Sequence, residues 1–392
     1  MTATHDYDAI VVGAGPYGLS AAAHLRGHGL RTAVFGKPMG LWQDHMPDGM
    51  FLRSPSWAMD LSDPRHRYTF DRFARETNAD ISYPISRSTF IDYGLWFQSR
   101  AVRSVDPTLV SSIGSAPGGF VVKTTDGRQL TAASVVMAIG IVSHAHRPAL
   151  YDHLPPRLVA HSCDRRDVAR FGGKQILIVG GGHSAVEYAA LLHDAGAAVH
   201  VVARRPIEWR SADRDVCAGK SRPWLDRLPY AFHHMPPWAK RRYNRSYSSG
   251  VSDSLRERII GKVALHERQT ILAIDAKVDA AIATISDGST LRADHVMLAT
   301  GFRVDLDRLA ILEPSLRRAI RTDEGAPLLT PWFESSVRGL FFSGLTTVRT
   351  FGPMYRFVAG CGPAARRVAW AIARRRVVRS RSVMSLSWSA SA

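Results

Sequence analysis

Short apolar, β-branched runs recur along the chain, and two of them lead directly into glycine-rich turns. Residues 9–12 and 176–179 are uninterrupted hydrophobic stretches, the second preceded by Gln175, as expected for strands buried on both faces of a parallel sheet. Each turn opens a helix-like stretch that stops at a glycine, and a second apolar run follows at residues 31–35 and 198–202. A strand, a glycine-rich turn, a helix and a second strand form the unit that binds dinucleotides. The pattern therefore predicts an α/β fold with two Rossmann-like dinucleotide-binding domains.

The first turn has a glycine at each position where this motif requires one. Gly13 makes the tight bend, Gly15 lets a pyrophosphate approach the backbone, and Gly18 lets the helix pack closely on the strand. Free N–H groups at the start of the helix then face the phosphates. The predicted contacts of this turn with a dinucleotide are Gly13, Gly15, Pro16, Tyr17 and Gly18.

The strand that completes this first unit lacks the acidic residue that usually holds the ribose hydroxyls. Gly36 stands at that position, with Lys37 beside it. Both residues are still expected at the cofactor, but the ribose must be held in another way.

The second turn, GGGHSA at residues 180–185, has the GxGxxA form of the same motif. Its predicted contacts are Gly180, Gly182, His183 and Ser184. The strand after it ends at Arg204 and Arg205, where an acidic residue would accept a hydrogen bond from a ribose 2′-hydroxyl. Arginines make charge-assisted contacts with a 2′-phosphate, so this unit is predicted to bind NADPH rather than NADH. The alternative is that both arginines are surface charges of a generally basic protein.

Two further apolar segments complete the layout. Residues 294–302 form a strand that ends in a small-residue turn, and residues 134–141 are a weaker counterpart. Each would return the chain across a domain boundary beside a bound cofactor, which places Thr300 and Gly301 at the second site. The second domain is therefore expected to be inserted into a discontinuous first domain. The predicted parts are residues 1–150 and 326–380 for the first domain, 151–325 for the second with a helical insertion at about 206–265, and 381–392 for a flexible tail.

Composition narrows the classes of function. The net charge of +17 predicts a surface that attracts anions such as phosphorylated cofactors, but no recognised module makes nucleic acid an expected partner. The three cysteines form no CxxC pair, which argues against a disulfide framework, a zinc site and dithiol chemistry, and fits a reducing cytoplasm. His144 and His146 alternate, but nothing nearby completes a set of metal ligands. The sequence has no run of about 18 apolar residues, so no integral membrane segment is expected.

Beyond the turns, the sequence resembles the class B flavin-dependent monooxygenases, and within them the microbial ornithine and lysine N-monooxygenases. The resemblance covers about 350 of the 392 residues. Its motifs are GAGPYG at 13–18, WQDHMPDGM at 42–50, DLSDP at 60–64, YPISRSTFIDY at 83–93, GGGHSAVE at 180–187 and DHVMLATGF at 294–302. A partial match begins at His161-Ser162, where Arg165 replaces the usual aromatic residue.

The resemblance implies that the first domain binds FAD and the second NADPH. NADPH would reduce the flavin, and O2 would add to it to give a C4a-(hydro)peroxide that oxygenates a small-molecule substrate. N-hydroxylation of an amine or amino-acid-derived substrate is the leading interpretation. The alternatives are S- or C-oxygenation, Baeyer–Villiger oxidation, and a flavin reductase without oxygen activation.

Two departures from the family pattern matter for the substrate and for the flavin. Amino-acid N-hydroxylases generally carry a lysine just before the Asp-Leu pair, and this chain has Met59 there, so recognition of a charged amino acid stays open. Leu345 follows Gly344 where many reductases have an acidic contact with FAD. A helix is expected to begin near Gly352 and Met354 instead, with its N-terminus at the pyrimidine edge of the flavin.

The resemblance also suggests which side chains lie near the isoalloxazine. The candidates are Trp42, His45, Met50, Leu52 and Arg53 on one side and Met354 across the ring. Of these, His45, Arg53 and Met354 are candidates for a direct part in the chemistry. Ordinary alternatives exist: Trp42 and Met50 as core residues, His45 as a structural histidine, and Arg53 as a contact of a phosphate or of the nicotinamide amide.

The least framework-like segment is the insertion at residues 206–265, with Trp209, Trp224 and Trp238 and the basic run at 240–242. A helical excursion over the cleft would shape a substrate pocket for an apolar or aromatic group. The alternative is a partner surface, which leaves a homo-oligomer open.

Overall fold

Two parallel sheets, one on each glycine-rich unit, organise the described part of the chain. The computed structural model describes residues 5–211, 228–247 and 250–389. The strands are β1 (Ala9–Val12), β2 (Thr32–Phe35), β3 (Phe51–Leu52), β4 (Ile85–Ser86), β5 (Val110–Ala116), β6 (Gly119–Thr124), β7 (Gln129–Ala132), β8 (Val135–Met137), β9 (Val159–His161), β10 (Gln175–Val179), β11 (Ala198–Ala203), β12 (Trp209–Arg210), β13 (Val251–Ser252), β14 (Ala264–Glu267), β15 (Ile271–Ala276), β16 (Ala281–Ile285), β17 (Thr290–Ala293), β18 (His295–Leu298), β19 (Thr322–Asp323), β20 (Ala326–Pro327) and β21 (Leu340–Phe342). The α-helices are α1 (Pro16–Gly27), α2 (Gly40–Asp44), α3 (Phe70–Thr77), α4 (Arg87–Ala101), α5 (His183–Asp194), α6 (Leu228–His234), α7 (Pro237–Ser246), α8 (Arg256–Ile259), α9 (Pro314–Ala319), α10 (Val348–Phe351) and α11 (Cys361–Ser389).

The first sheet has the order β2-β1-β8-β21, with every pair parallel. β1 and β8 are buried along their whole length, as their uninterrupted β-branched and apolar sequences predict. The antiparallel strands β5, β6 and β7 form a separate three-stranded sheet before β8.

The second sheet has the order β14-β11-β10-β18-β9 and is also parallel. A second antiparallel sheet, β15-β16-β17, precedes its strand β18. All the strands of the second sheet lie in the chain between β8 and β21, which pair with each other in the first. The predicted fold, a second dinucleotide-binding domain inserted into a discontinuous first one, is confirmed.

The chain returns to the first domain earlier than the boundary predicted at residue 325. Leu306, Leu312 and Leu316 belong to the core that surrounds the first sheet. Two backbone hydrogen bonds explain this early return. The N–H of Ile113 on β5 donates to the carbonyl of Ile311 at 2.8 Å, and the carbonyl of Ile113 accepts from the N–H of Glu313 at 2.9 Å. Residues 306–320 therefore belong to the first domain, and the chain re-enters that domain soon after β18.

The last helix, α11, starts later and runs further than expected. Two short 3-10 turns, Pro353–Arg356 and Val358–Gly360, precede it, so the helix predicted near Gly352 begins at Cys361. The left-handed φ of +93° at Gly352 breaks the chain there. α11 packs its small buried residues, such as Ala365 and Ala369, against α1. It continues to Ser389 through most of the segment predicted as a tail, since serine and arginine cost a helix little.

Among the helices in the described ranges, none combines the length and the hydropathy that a membrane-spanning segment needs.

Tyr93 connects two loop segments of the first domain through its hydroxyl, and the contribution of these hydrogen bonds to stability can be tested. Its side chain is fully buried, and its hydroxyl accepts from the N–H of Leu61 and donates to the carbonyl of Tyr68, each at 2.9 Å. We expect Tyr93→Phe to lower the free energy of unfolding by about 1–3 kcal/mol, because the Leu61 N–H loses its acceptor. Urea denaturation measures the change.

The matched control is Tyr68→Phe, since the Tyr68 hydroxyl makes no hydrogen bond with a residue in the described ranges. Equal effects of the two substitutions would mean that the hydroxyl of Tyr93 does not hold residue 61.

Candidate functional site

The first glycine-rich turn joins β1 to α1 and leaves space only where a phosphate is expected. A Cβ on Gly13, which has a φ of +107°, would lie 2.2 Å from the carbonyl oxygen of Ala138. A Cβ on Gly18 would lie 1.8 Å from the carbonyl oxygen of Gly13. At Gly15 the nearest atom would be 4.0 Å away, on Trp42, and no side chain caps α1. The open backbone N–H groups fit the pyrophosphate of a dinucleotide.

The residues after β2 that are predicted to contact the cofactor make contacts with other parts of the protein. Gly36 has a φ of +122° and donates to the carbonyl of Asp106 at 2.8 Å. Lys37 pairs with Asp44 at 2.6 Å on the surface. Trp42 packs edge-on against Phe90, so it belongs to the wall of the first core rather than standing free.

Tyr17 connects this turn to the segment that precedes α11. Its hydroxyl lies 3.0 Å from the carbonyl oxygen of Tyr355 and 2.8 Å from that of Phe357. Burial raises the pKa of Tyr17 well above its usual range, which keeps the hydroxyl a donor. The ring also lies beside Gly344, at 3.5 Å from where a Cβ would be. Met354 is carried by this segment and packs, half-buried, against the first core.

The second turn borders a cavity of about 810 Å³. A Cβ on Gly180, with a φ of +137°, would lie 2.4 Å from the carbonyl oxygen of Ala299, whereas a Cβ on Gly182 would meet nothing within 4 Å. The structure thus brings several predicted residues to one cavity wall: Gly180, Gly182, Arg204, Arg205, Thr300 and Gly301. His183 and Ser184 start α5 next to it but do not line it.

This cavity is electropositive. Arg204 and Arg205 are exposed and make no hydrogen bond or ion pair with a residue in the described ranges. The pKa of His146, which also lines the cavity, is lowered by burial and by the nearby positive charges of Arg303, Arg308 and Arg204. The cavity is therefore suited to an anionic ligand.

Arg53, predicted near the isoalloxazine, forms a buried ion pair with Glu187 of α5. The two side chains are 7% and 1% exposed, and Arg53 Nε also donates to Ser254 Oγ at 3.1 Å. His183 Nε2 lies 3.4 Å from the same oxygen of Glu187. Arg53 is therefore engaged as the cation of a buried ion pair, and its predicted contact with a phosphate or the nicotinamide amide stays a prediction.

The rest of the segment at 45–53 also faces the second domain. His45 Nδ1 lies 2.8 Å from the carbonyl oxygen of Cys163, so the structural alternative for His45 is the one its contact supports. Met50 is buried in the core of the second domain with Leu191 of α5, while Leu52 packs against the first core. This segment is the joint between the two domains.

Glu187 is the residue that sequence reasoning missed. It lies inside the GGGHSAVE motif, but no role was predicted for it. The available signal was a lone carboxylate in the middle of the apolar helix stretch at 185–192, where burial requires a partner. Its partner is 134 residues away, and no sequence pattern identifies it.

Part of the insertion covers the segment around Gly352. The Phe232 ring on α6 lies 3.2 Å from where a Cβ of Gly352 would be, and His233 stacks on Phe351 with ring centroids 5.2 Å apart. Trp209 is half-buried on β12, and Trp238 is 66% exposed. Cys217 and Trp224 lie outside the described residues.

The joint between the domains can be tested through its ion pair. We expect Arg53→Met to lower the free energy of unfolding by about 3–5 kcal/mol, because Glu187 would keep a buried charge without a partner. The double variant Arg53→Met with Glu187→Leu should recover most of that loss. Urea denaturation of the cofactor-loaded protein measures both.

The control for this test is the surface pair of Arg72 and Glu76, which are 43% and 31% exposed. Arg72→Met should change the free energy of unfolding by at most about 1 kcal/mol. A loss no larger in Arg53→Met than in Arg72→Met would contradict a structural role for the buried pair.

Comparisons with known proteins agree with this geometry. A model of the pyridine nucleotide-disulphide oxidoreductase family matches residues 10–227. The FAD-dependent urate hydroxylase of Xanthomonas campestris is 30% identical over 211 residues, which are 50% of this chain and 44% of that protein, so the chain spans less than half of this relative. A ferredoxin–NADP reductase of Ignicoccus hospitalis is 25% identical over 86% of this chain and 89% of its own length.

Solved structures show the same fold over nearly the whole chain. The ornithine N-hydroxylase of Kutzneria sp. 744, solved with reduced FAD, NADP⁺ and L-ornithine, has a TM-score of 0.76 at 20% identity, and the match covers 95% of this chain and 100% of that one. The L-lysine 6-monooxygenase of Pseudomonas syringae has a TM-score of 0.73 at 20% identity, with 94% and 99% covered. The family match confirms the predicted oxidoreductase class, and the predicted cofactors FAD and NADP are those that the names of these relatives and neighbours carry. The family model spans more than half of the chain, which therefore belongs to the pyridine nucleotide-disulphide oxidoreductase family.

Proposed function

We propose that this chain is an FAD- and NADPH-dependent monooxygenase that hydroxylates the nitrogen of an amine or an amino-acid-derived substrate. FAD supplies hydride acceptance and oxygen activation when it is bound. The residues of the chain bind and orient the cofactors and the substrate and exclude water.

The observation that carries the proposal is the pairing of two dinucleotide turns with the lack of a dithiol. Cys163 and Cys361 are both buried, and burial raises the pKa of each to about 11, so neither is a reactive thiolate. The sequence places the third cysteine, Cys217, more than fifty positions from either of them. Among the residues that the structure describes, no cysteine pair can take electrons from NADPH, so the acceptor lies outside the chain, and in this proposal it is oxygen.

Two features of the site support an oxygenase. Helices α6 and α7 of the insertion lie against α10, beside Gly352 and Met354, where they limit access of water to the predicted flavin edge. Solved N-hydroxylases of ornithine and lysine have the same fold.

The test is turnover with NADPH and air in the presence of a panel of primary amines and amino acids. We expect at least one of them to raise NADPH oxidation and to yield a product heavier by one oxygen atom, with hydroxylamine reactivity, by mass spectrometry. NADPH oxidation without such a product for every compound would contradict N-hydroxylation. Products oxygenated at sulfur or carbon would move the assignment to those reactions.

A second candidate is a reductase that passes electrons from NADPH to a ferredoxin-type carrier. The observation that favours it is the match of a ferredoxin–NADP reductase over 86% of this chain. Anaerobic reduction of oxidised ferredoxin by NADPH, at a rate above that of free FAD, would support this candidate.

The preference for NADPH depends on Arg204 and Arg205. We expect the double substitution of both by alanine to raise the KM for NADPH by about 10- to 100-fold, because two charge-assisted contacts with the 2′-phosphate are lost, and to leave the KM for NADH nearly unchanged. Flavin reduction under anaerobic conditions measures both constants.

The control is Arg75→Ala, which removes an exposed cation on α3 of the first domain and should leave both constants unchanged. Equal responses of NADPH and NADH to the double substitution would mean that these arginines do not contact the 2′-phosphate.

A further inference from the structure

The last part of the chain carries positive charge only. After Glu334 the sequence has ten arginines and no acidic residue up to residue 392. Seven of these arginines lie on α11. A helix of this composition attracts a negatively charged surface. A second copy of the chain, with its net charge of +17, would be repelled from the same helix.

The helix α11 extends beyond the helix on which it packs. It runs beside α1, and Arg376 donates to the carbonyl of Gly29 at 2.7 Å, just past the C-terminus of α1. From there α11 continues to Ser389, which adds about 20 Å of helix. The sequence of this end, residues 377–389, combines arginine with valine, methionine, leucine and tryptophan. Arginine together with tryptophan and aliphatic residues is typical of helices that lie on a membrane surface.

Two exposed tryptophans stand on the part of α11 that packs on the first domain. Trp370 of α11 stacks on Trp332 with ring centroids 4.3 Å apart, and the two residues are 39% and 40% exposed. Arg374 lies one turn after Trp370, with its guanidinium 5.1 Å from the centroid of the Trp370 ring. Arg374 is exposed and makes no hydrogen bond or ion pair with a side chain that the structure describes. An aromatic pair and an uncompensated cation therefore share one face.

A depression of about 460 Å³ continues this face toward the end of α1. It is lined by Arg374 and Arg376 and by apolar side chains that include Leu30, Trp370 and Val377. Val377 is 51% exposed, so an aliphatic side chain stands in solvent next to the arginines. Cationic and apolar groups side by side suit an amphipathic anion, such as a phospholipid with its phosphate and its acyl chains.

We propose that this face of α11, formed by Trp332, Trp370, Arg374 and Val377, docks on a bilayer of anionic phospholipids. Arg374 contacts the phosphates, the tryptophan rings lie at the level of the head groups, and Val377 enters the edge of the hydrocarbon. Docking of this kind is independent of the reaction at the flavin.

Nucleic acid, another polyanion, fits this face less well. Single-stranded nucleic acid is bound through aromatic rings on which its bases stack, and the Trp370 ring already has Trp332 and Arg374 as its neighbours. The exposed side chain of Val377 adds nothing to a contact with phosphates, whereas it is stabilised on entering a bilayer.

Flotation of the full-length, FAD-loaded protein with lipid vesicles tests the docking. The probes are vesicles of phosphatidylcholine alone and of phosphatidylcholine mixed with an equal amount of phosphatidylglycerol. We expect the protein to float with the mixed vesicles at low salt and to stay unbound with phosphatidylcholine, because the attraction requires negative surface charge. Salt at about 0.5 M should release most of the bound protein.

The contribution of the cation is measured with Arg374→Gln. We expect this substitution to lower the partition coefficient on the mixed vesicles by about 3- to 10-fold, the effect of one cation close to an anionic bilayer. The matched control is Arg75→Gln, which removes an exposed arginine on α3 and should change the partition coefficient much less. The absorbance of bound FAD reports that both variants are folded.

The position of the aromatic pair is measured by fluorescence. Lipids brominated in their acyl chains should quench part of the tryptophan emission of the bound protein. The double variant Trp332→Phe with Trp370→Phe, which keeps an apolar ring at both positions, should lose part of that quenching. Trp238→Phe, which removes a tryptophan that is 66% exposed on α7, should lose none of it.

Docking on lipid is excluded if the protein floats with neither kind of vesicle, if it floats equally with both, or if Arg374→Gln and Arg75→Gln weaken flotation to the same extent. Unchanged quenching in the double tryptophan variant would also overturn it, because another surface would then face the bilayer. Binding of DNA that depends on Arg374, without flotation, would assign this face to nucleic acid instead.

Discussion

The same steric constraint shapes both dinucleotide turns. In each, a glycine after the first strand lies against the carbonyl that ends the neighbouring strand: Gly13 against Ala138 and Gly180 against Ala299. A side chain at either glycine would collide with backbone, so the strands could not keep their register at the edge where the turn begins. The open glycines, Gly15 and Gly182, depend on these closed ones, because helices α1 and α5 present free N–H groups only when their strands end together.

The segment at 45–53 connects the two domains by contacting both of them. It belongs to the first domain by sequence, yet it places Met50 in the core of the second and Arg53 in a buried pair with Glu187. Because Glu187 lies on α5, whose N-cap is the open Gly182, the same helix contacts the predicted phosphate at its N-terminus and the first domain in its middle. The relative orientation of the two domains is thus set close to where the cofactors would meet.

Local patterns in the sequence were sufficient to predict the two sheets and the glycines of their turns. They also predicted that four residues lie at one cavity, because parallel strands bring their carboxyl ends to one edge of a sheet: Arg204, Arg205, Thr300 and Gly301. The same patterns could not predict the contacts of Arg53 and His45, because their partners, Glu187 and Cys163, are distant in the chain. The chain returns to the first domain before residue 306 because its backbone is hydrogen-bonded to β5 further along. Hydrophobic periodicity does not predict such a contact. The helix expected near residue 352 fails for a local reason, the left-handed glycine at that position.

The insertion of one domain into the other has a consequence for synthesis of the chain. Every strand of the second sheet has been made once residue 298 is added, whereas the first sheet waits for β21 at residues 340–342 and for α11, which covers α1. On a ribosome, the inserted domain can therefore finish its core while β1, β2 and β8 still lack their last neighbour. The edge of β8 stays open as a pairing surface throughout that interval, and it closes only when residues 340–342 have been added.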